Sequence, residues 1–493
     1  MRMAVEETQR RAASALTVEQ NGINVIAESE RKGRPRDLFW PWCAANISVL
    51  AISYGSFLLG FGIGFWQGVF AAVVGTIFSF VLVGLVSIAG KRGSAPTMVL
   101  SRAPFGVRGN GLPTLVSYLL LVGWETVLVT LATLATATVF GRLGWSDGDV
   151  TKVVAFLVVA AIIIVAGLLG FDAIMRLQVW LTVVLAVLTV GYIALTVDEV
   201  DWDAVSALPS GPSRSVLGAL ILAATALGLG WVNAGADYSR YQPRTSSTGG
   251  VVWWTTFGGS IAPVVLIVYG LLLAGSDADL NAAVAMDPIG ALTTVLPTWY
   301  LLPFALVAVF GLVAGAVLDI YSSGLALLTL GVRIPRWSAA LIDGVIMVIG
   351  TIWLVFFADD VLGPFMGFLI TLGVPIAAWC GVFIADLLLR RRDYVDADLY
   401  RSAGRYGAFN WPAVALVVVG TALGWGLVTN GADGFRWQGY VLEPFGLGGK
   451  TGDWAFANLG VLVALVFGFV GYALLSGRRV RNQEATPEPA SIT

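Results

Sequence analysis

The sequence predicts an all-α integral membrane protein with about twelve transmembrane helices, and three observations carry that prediction. The 493 residues have a mean hydropathy of +0.83 and only 12% are charged, where a soluble domain has about 25%. About a dozen apolar runs, each near the ~20 residues a helix needs to cross a bilayer, alternate with short polar stretches. Runs such as 153–169 and 177–195 are apolar on every face, as in helices set against lipid or inside a bundle, and lack the two-residue alternation of a membrane barrel. The lipid bilayer is therefore the expected partner and main solvent of the chain.

Residues 1–42 are read as an N-terminal segment outside the membrane, whose first 30 residues are polar with no apolar stretch of the kind a cleaved leader needs. Six spans are expected at 43–65, 67–90, 111–139, 151–169, 177–197 and 215–236. Six more follow at 252–274, 299–331, 338–357, 362–389, 411–429 and 456–476. The chain then divides into a five-helix block (43–197), a second five-helix block (198–389), a loop with two last helices (390–476), and a polar tail (477–493) expected to be disordered. The first helix of each block is interrupted, by Ala44-Ala45-Asn46-Ile47-Ser48 in one and by Gly228-Leu229-Gly230-Trp231-Val232-Asn233 in the other. Five is odd, so successive blocks enter the bilayer from opposite sides, and paired interruptions in inverted repeats mark a midplane binding site. The competing reading is plain helix packing, because glycine is ordinary in membrane helices and this chain has 59.

All but five of the 29 Lys and Arg residues fall on the N-terminal side of these spans, the exceptions being Arg142, Lys152, Arg214, Arg436 and Lys450. That excess predicts a multi-pass protein of the cell membrane with both termini cytoplasmic. Net charge is only −2, so no nucleic-acid partner is implied. The two cysteines, Cys43 and Cys380, both lie in expected helices and supply neither a disulfide framework nor a metal site. There is no histidine, which excludes a histidine proton relay, an HExxH site and a serine–histidine pair. The glycines at 60, 62 and 64 follow no strand and precede no Gly-Lys-Ser/Thr, so direct ATP drive is unsupported. Neither an enzyme nor a cofactor is expected; an ion gradient is.

Polar and ionisable groups inside hydrocarbon are costly, which singles out a few side chains. Glu125 follows Trp124 in the middle of the third span with no Lys or Arg in that helix. Asp319 lies deep in the eighth span, and Asn233 follows Trp231 by two residues in the sixth. Each is either a site residue or a buried group with a packing role. Trp124 and Trp231 offer flat faces able to sandwich a planar ligand. Asp172, Asp237 and Asp386 sit at span ends, where reaching water or pairing with bases gives them a structural or gating role.

Several stretches together resemble the nucleobase:cation symporter-1 family, in its purine–cytosine permease branch. They are Asp37-Leu38-Phe39-Trp40, Ser101-Arg102-Ala103-Pro104-Phe105-Gly106, Gly123-Trp124-Glu125, Ala236-Asp237-Tyr238-Ser239-Arg240-Tyr241, Tyr321-Ser322-Ser323-Gly324-Leu325 and Phe409-Asn410-Trp411-Pro412, spread over nearly the whole chain. The resemblance implies a leucine-transporter-like core of two inverted five-helix repeats plus two extra helices, with substrate held between helices 1, 3, 6 and 8. Trp124 matches the family's stacking aromatic of helix 3. Trp231 matches that of helix 6, with Gly228 the occupant of that position in the register one turn away. Asp319 matches a helix 8 position where relatives often carry an amide. In sodium-coupled members, carbonyls at the helix 1 break, here matching Ala45 and Ser48 with Val49 beside them, join two hydroxyls from helix 8. The matching stretch here, Val313-Ala314-Gly315, has none.

The expectation is therefore a proton-coupled importer of a small planar heterocycle, cytosine or a purine, working by alternating access. Trp124 and Trp231 would stack on the ring while Glu125, Asn233 and Asp319 read its polar edge, Glu125 and Asp319 also being the candidate proton carriers because desolvation favours a neutral carboxyl. Sodium is the less favoured coupling ion and no resident metal is expected. The rival readings are a sodium-coupled importer of allantoin, a hydantoin, thiamine or a pyridoxine-like vitamin, and a membrane receptor that binds without transporting. Oligomeric state is left open.

Overall fold

The computed structural model describes residues 18–358 and 360–486, so the ends of the expected N-terminal segment and C-terminal tail, 1–17 and 487–493, lie outside the described residues. Among those described, every regular element is helical. Helix α1 comes in two pieces, Phe39–Asn46 (α1a) and Val49–Leu59 (α1b). It is followed by α2 (Phe65–Gly93), α3 (Gly111–Arg142), α4 (Asp149–Leu169) and α5 (Phe171–Thr196). Helix α6 is also broken: Ser213–Ala226 (α6a) gives way to two short pieces, Gly228–Trp231 and Gly235–Ser239, together α6b. Then come α7 (Thr248–Ser276), α8 (Leu301–Thr329), α9 (Arg336–Phe356), α10 (Leu362–Leu389), α11 (Trp411–Gly426) and α12 (Leu459–Ala485). Ten helices are long and apolar enough to span a bilayer, the two pieces of α1 with the turn before them make an eleventh bent by 65°, and α11, at 16 residues, is the short twelfth.

The breaks fall where the small polar residues had placed them, and local chemistry explains each. At the end of α1a the Ile47 N–H still donates to Cys43 O, and the Asn46 side-chain amide folds back to donate to Trp42 O at 2.7 Å. Ser48 is then extended (φ −135°, ψ 146°) and its hydroxyl caps α1b by accepting from Leu50 N. In α6 the freed Gly228 N–H donates to the Ser79 hydroxyl of α2 at 3.1 Å. A Cβ at Gly228 would come within 2.4 Å of the Ser79 backbone, so only glycine lets this stretch sit so close to α2. Buried backbone outside regular helix survives in a membrane protein only with partners of this kind.

The two five-helix repeats interlock through equivalent members. Helix α3 runs along α8 and α2 along α7, while α12 packs against α10 and α11 from outside the repeats. Helix α1b approaches α7 backbone to backbone at Gly55 and Gly270, where an added Cβ would lie 2.3 Å and 1.8 Å from the opposing main chain.

Three boundaries depart from expectation. Gly170, at φ +92°, turns the chain between α4 and α5 in one residue, so α5 starts at Phe171 and includes residues that had read as loop. The tail expected to be disordered from 477 instead continues α12 to Ala485. Gln483 Oε1 accepts from Arg390, and Glu484 Oε1 accepts the N–H groups of Arg391 and Arg392, both at 2.7 Å. The polar segment before α1 also packs on the bundle: Ile26 is fully buried and its N–H donates to Ser94 O, while Glu19 N–H donates to Leu169 O. Both described ends thus lie on one face, here called the terminal face.

A buried ion pair ties α10 to α12. Arg390 donates through Nε and Nη2 to the two oxygens of Asp386, which also accepts from Tyr472 OH at 2.8 Å, and neither charged side chain is more than 2% exposed. Removing one partner strands the other charge, a loss of about 3–5 kcal/mol. Asp386→Ala is therefore expected to lower the melting temperature of the detergent-solubilised protein by many degrees and Asp386→Asn by less; equal melting curves would contradict the assignment.

Candidate functional site

A cavity of about 50 Å³ lies where the two breaks meet α3 and α8. Helix α1 contributes Ala45, Asn46, Ser48, Leu50, Ala51 and Tyr54 to its wall; α6 contributes Ala226, Leu227, Gly230 and Trp231; α3 contributes Trp124 and Leu128; α8 contributes Gly311 and Leu312. The N-terminal end of α1b and the C-terminal end of α6a thus both face it, the one carrying partial positive and the other partial negative charge. No acidic or basic side chain is in the wall.

Of the residues expected from sequence, the structure brings Trp124, Trp231, Ala45 and Ser48 to this cavity. The Trp124 ring stands edge-to-face on Phe365 of α10 at 5.1 Å, and its Nε1 is buried without a partner. Trp231 meets Trp42 edge-to-face at 5.7 Å, whereas Gly228, one turn earlier, packs on α2 instead. Val49 opens α1b and is buried outside the wall.

Glu125, Asn233 and Asp319 do not line it. Successive residues of a helix point about 100° apart, so with Trp124 turned inward Glu125 faces α8 and α9. There Ser323 Oγ lies 2.6 Å from Glu125 Oε1 and 3.0 Å from Oδ2 of Asp343, whose other oxygen accepts from Tyr118 OH at 2.7 Å. Asn233 is held by α3, its amide donating to Ser117 Oγ at 2.8 Å. Asp319 is 1% exposed, its Oδ2 has no partner, and it lies one turn before Ser323 on the same face of α8. None of Glu125, Asp319 and Asp343 makes an ion pair among the described residues. Asp343 was absent from the expected set although it stands alone in the apolar run 338–357, the very signal that had picked out Glu125 and Asp319.

The two sides of the cavity are closed unequally. Toward the terminal face, Trp42 meets Tyr238 at 5.4 Å, Tyr238 meets Tyr321 at 5.8 Å, and Tyr321 OH accepts from Arg240 at 2.8 Å. Arg240 also holds Glu19 at 3.1 Å, whose carboxylate accepts from Tyr241 OH and Phe171 N–H and sits 3.5 Å from Arg336. This plug joins α5, α6b, α8 and α9 through a residue of the N-terminal segment, and a cavity of about 920 Å³ beyond it shares no wall residue with the central one. Toward the opposite face the barrier is thin. A vestibule of about 570 Å³ and a void of about 10 Å³ share Leu222, Met366 and Ile370, and that void shares Ala226 with the cavity.

This architecture has known counterparts. The profile of the family described as permease for cytosine/purines, uracil, thiamine, allantoin matches residues 25–442. The chain belongs to this family. It is thus a transporter of the cytosine/purine permease type, in the nucleobase:cation symporter-1 group, and not an enzyme. Among curated relatives, a putative purine-cytosine permease of Bacillus subtilis (strain 168) is 23% identical over 412 residues, covering 80% of this chain and 85% of the relative. A cytosine permease of Escherichia coli (strain K12) is 25% identical over 372 residues, covering 74% and 80%. Among solved structures, the nucleobase-cation-symport-1 transporter Mhp1, closed with bromovinylhydantoin bound, superposes with a TM-score of 0.68 over 97% of this chain and 98% of that one at 20% identity, a likeness of fold. The permease is accordingly a multi-pass membrane protein built as two inverted five-helix repeats plus two helices.

Proposed function

We propose that this permease imports a nucleobase, cytosine or a purine, across the cell membrane by proton symport, with the terminal face and both termini cytoplasmic. The base enters through the vestibule, stacks between Trp124 and Trp231 at the two breaks, and leaves when the plug around Arg240 parts. The family membership and the cavity wall support the cargo; the excess of Lys and Arg on the terminal face supports the orientation.

The observation that carries proton coupling is a count of hydrogens. Ser323 has one hydroxyl hydrogen, yet its oxygen lies within hydrogen-bond distance of a carboxyl oxygen of both Glu125 and Asp343. With the Ile320 carbonyl at 3.3 Å as a third acceptor, that hydrogen serves at most one of the two carboxyls, so a proton on the other is what makes its contact favourable. In this reading the pair is the proton carrier, with Tyr118 the further donor and Asp319 the acid that continues the column along α8 toward the cavity. Sodium finds less to hold it. The turn of α8 facing the α1 break presents Gly311 to Ile47 O and Ser48, and Gly315 to Ala45 O, without a side-chain oxygen. The neighbouring Ala314 carbonyl is already taken by the Gln178 amide at 2.8 Å.

Glu125→Gln or Asp343→Asn should abolish accumulation driven by a proton gradient while leaving gradient-free exchange of labelled for unlabelled base largely intact in proteoliposomes. Accumulation at the wild-type level in both variants would remove this pair from the coupling mechanism.

A further inference from the structure

The way from the vestibule to the cavity is blocked where α10 meets α6a, and a loop outside both repeats fastens the two. The void of about 10 Å³ between them has room for a single water at most, so a base passes only when α10 and α6a separate. On the α10 side, Pro375 lacks the N–H that would hold the Thr371 carbonyl, four residues earlier, inside the helix. That carbonyl accepts instead from Trp425 Nε1 of α11 at 2.7 Å. The turn of α10 before it is gripped by the loop 427–458, which joins α11 to α12. The Asn430 amide donates to Gly367 O at 2.9 Å and lies 3.2 Å from Thr371 Oγ1, to which Gln438 Nε2 donates at 3.0 Å. Gln438 is fully enclosed, and a Cβ on Gly367 would come within 2.8 Å of both Ala432 and Asn430, so loop and helix sit in close contact.

The same loop reaches α6a. Asp453 pairs with Arg214 at 2.9 Å, and Gly218 comes so near the Phe456 carbonyl that a Cβ there would lie 2.5 Å from it. Arg214, Asp453 and Phe456 line the vestibule together with Met366 and Ile370 of α10. The two charged side chains are 35% and 71% exposed, and an ion pair in that setting shifts an equilibrium by about fivefold at most, little enough to part in every transport cycle. The bonds to α10 are several and largely enclosed, so the loop travels with α10 and the contact with Arg214 is the one that opens. We infer that loop 427–458 is a lid on the vestibule, carried by α10 and clasped onto α6a through Arg214 and Asp453. Asn430 and Gln438 are its positioning residues, holding the part of α10 before Pro375 in place over the cavity. Helices α11 and α12, which stand outside the inverted repeats, thereby take part in closing the permease. The inference rests on the vestibule being the way in, as read above, and on no particular cargo.

Cross-linking tests the clasp. Arg214→Cys and Asp453→Cys are made together and their thiols joined by a short bifunctional maleimide; Cys43 and Cys380 are buried, and the wild type taken through the same treatment controls for them. Uptake of radiolabelled cytosine, adenine and hypoxanthine is followed in proteoliposomes. The unlinked double variant is expected to transport with a half-saturation within about fivefold of wild type. Linkage is expected to abolish its uptake, while the treated single variants keep theirs. Uptake by the fully linked protein at the unlinked rate would overturn the lid. Asn430→Ala tests the hold on α10: the half-saturation concentration is expected to rise about 3- to 10-fold at an unchanged maximal rate, with faster hydrogen–deuterium exchange in 362–374 and not in 383–389. Unaltered exchange in 362–374 would overturn the positioning role whatever the cargo. A wild type that accumulates none of the three bases would overturn nucleobase import, and the exchange measurement would still decide the lid.

Discussion

Trp124→Ala is expected to reduce uptake below detection at wild-type expression. An aromatic face stacked on a base is worth about 1–3 kcal/mol by alanine substitution, roughly a 5- to 150-fold loss of affinity. Here the same indole also carries the edge-to-face contact with Phe365, the α10 side chain beside the thin barrier. Its loss therefore weakens both the binding of the ring and the closure over it. Trp124→Phe keeps a π-face and the Phe365 contact but loses the Nε1 donor, and should bind measurably. The check is saturable binding of labelled base to purified protein beside a melting curve; full affinity in a well-folded Trp124→Ala variant would take Trp124 out of the site.

Arg240→Ala should have the second large effect, on conformation. The guanidinium is fully buried and joins Glu19, Tyr321 and the Gly22 carbonyl, so without it Glu19 is left with Arg336 at 3.5 Å as its remaining cation. Breaking a buried pair costs about 3–5 kcal/mol, enough to shift a two-state balance more than 100-fold away from the state closed at the terminal face. Hydrogen–deuterium exchange is expected to speed up in the strap of residues 18–32 and in α1a together, with slower net uptake of base. Exchange unchanged in both segments would show that the plug does not hold this face shut.

The fold was legible because membrane insertion writes itself into composition. The twelve apolar runs read from sequence correspond, among the described residues, to ten long spans, the bent α1 and the short α11, and even the breaks in α1 and α6 showed as clusters of small and polar residues, since backbone can leave the helix in a bilayer only where such residues supply substitute partners. The site was legible in part. Trp124, Trp231, Ala45 and Ser48 belong to the motifs and the break, and the cavity gathers them. Glu125, Asn233 and Asp319 were chosen for depth in the bilayer, and depth says nothing about which way a side chain points around its helix; α3 turns Glu125 toward Asp343, and the Ser117 hydroxyl holds Asn233. Tyr54 carried no signal because an apolar-run tyrosine looks like packing, and Glu19 carried none because its partners lie more than two hundred residues away in Arg240, Tyr241 and Arg336.

The most direct test of the central claim is accumulation of labelled nucleobase by the wild-type permease in proteoliposomes under separately imposed gradients. With an inward proton gradient and no sodium, the account predicts concentrative uptake that grows as the outer pH falls and collapses with a protonophore. Uptake that requires an inward sodium gradient and ignores the proton gradient would contradict it, assigning the buried pair of Glu125 and Asp343 to structure.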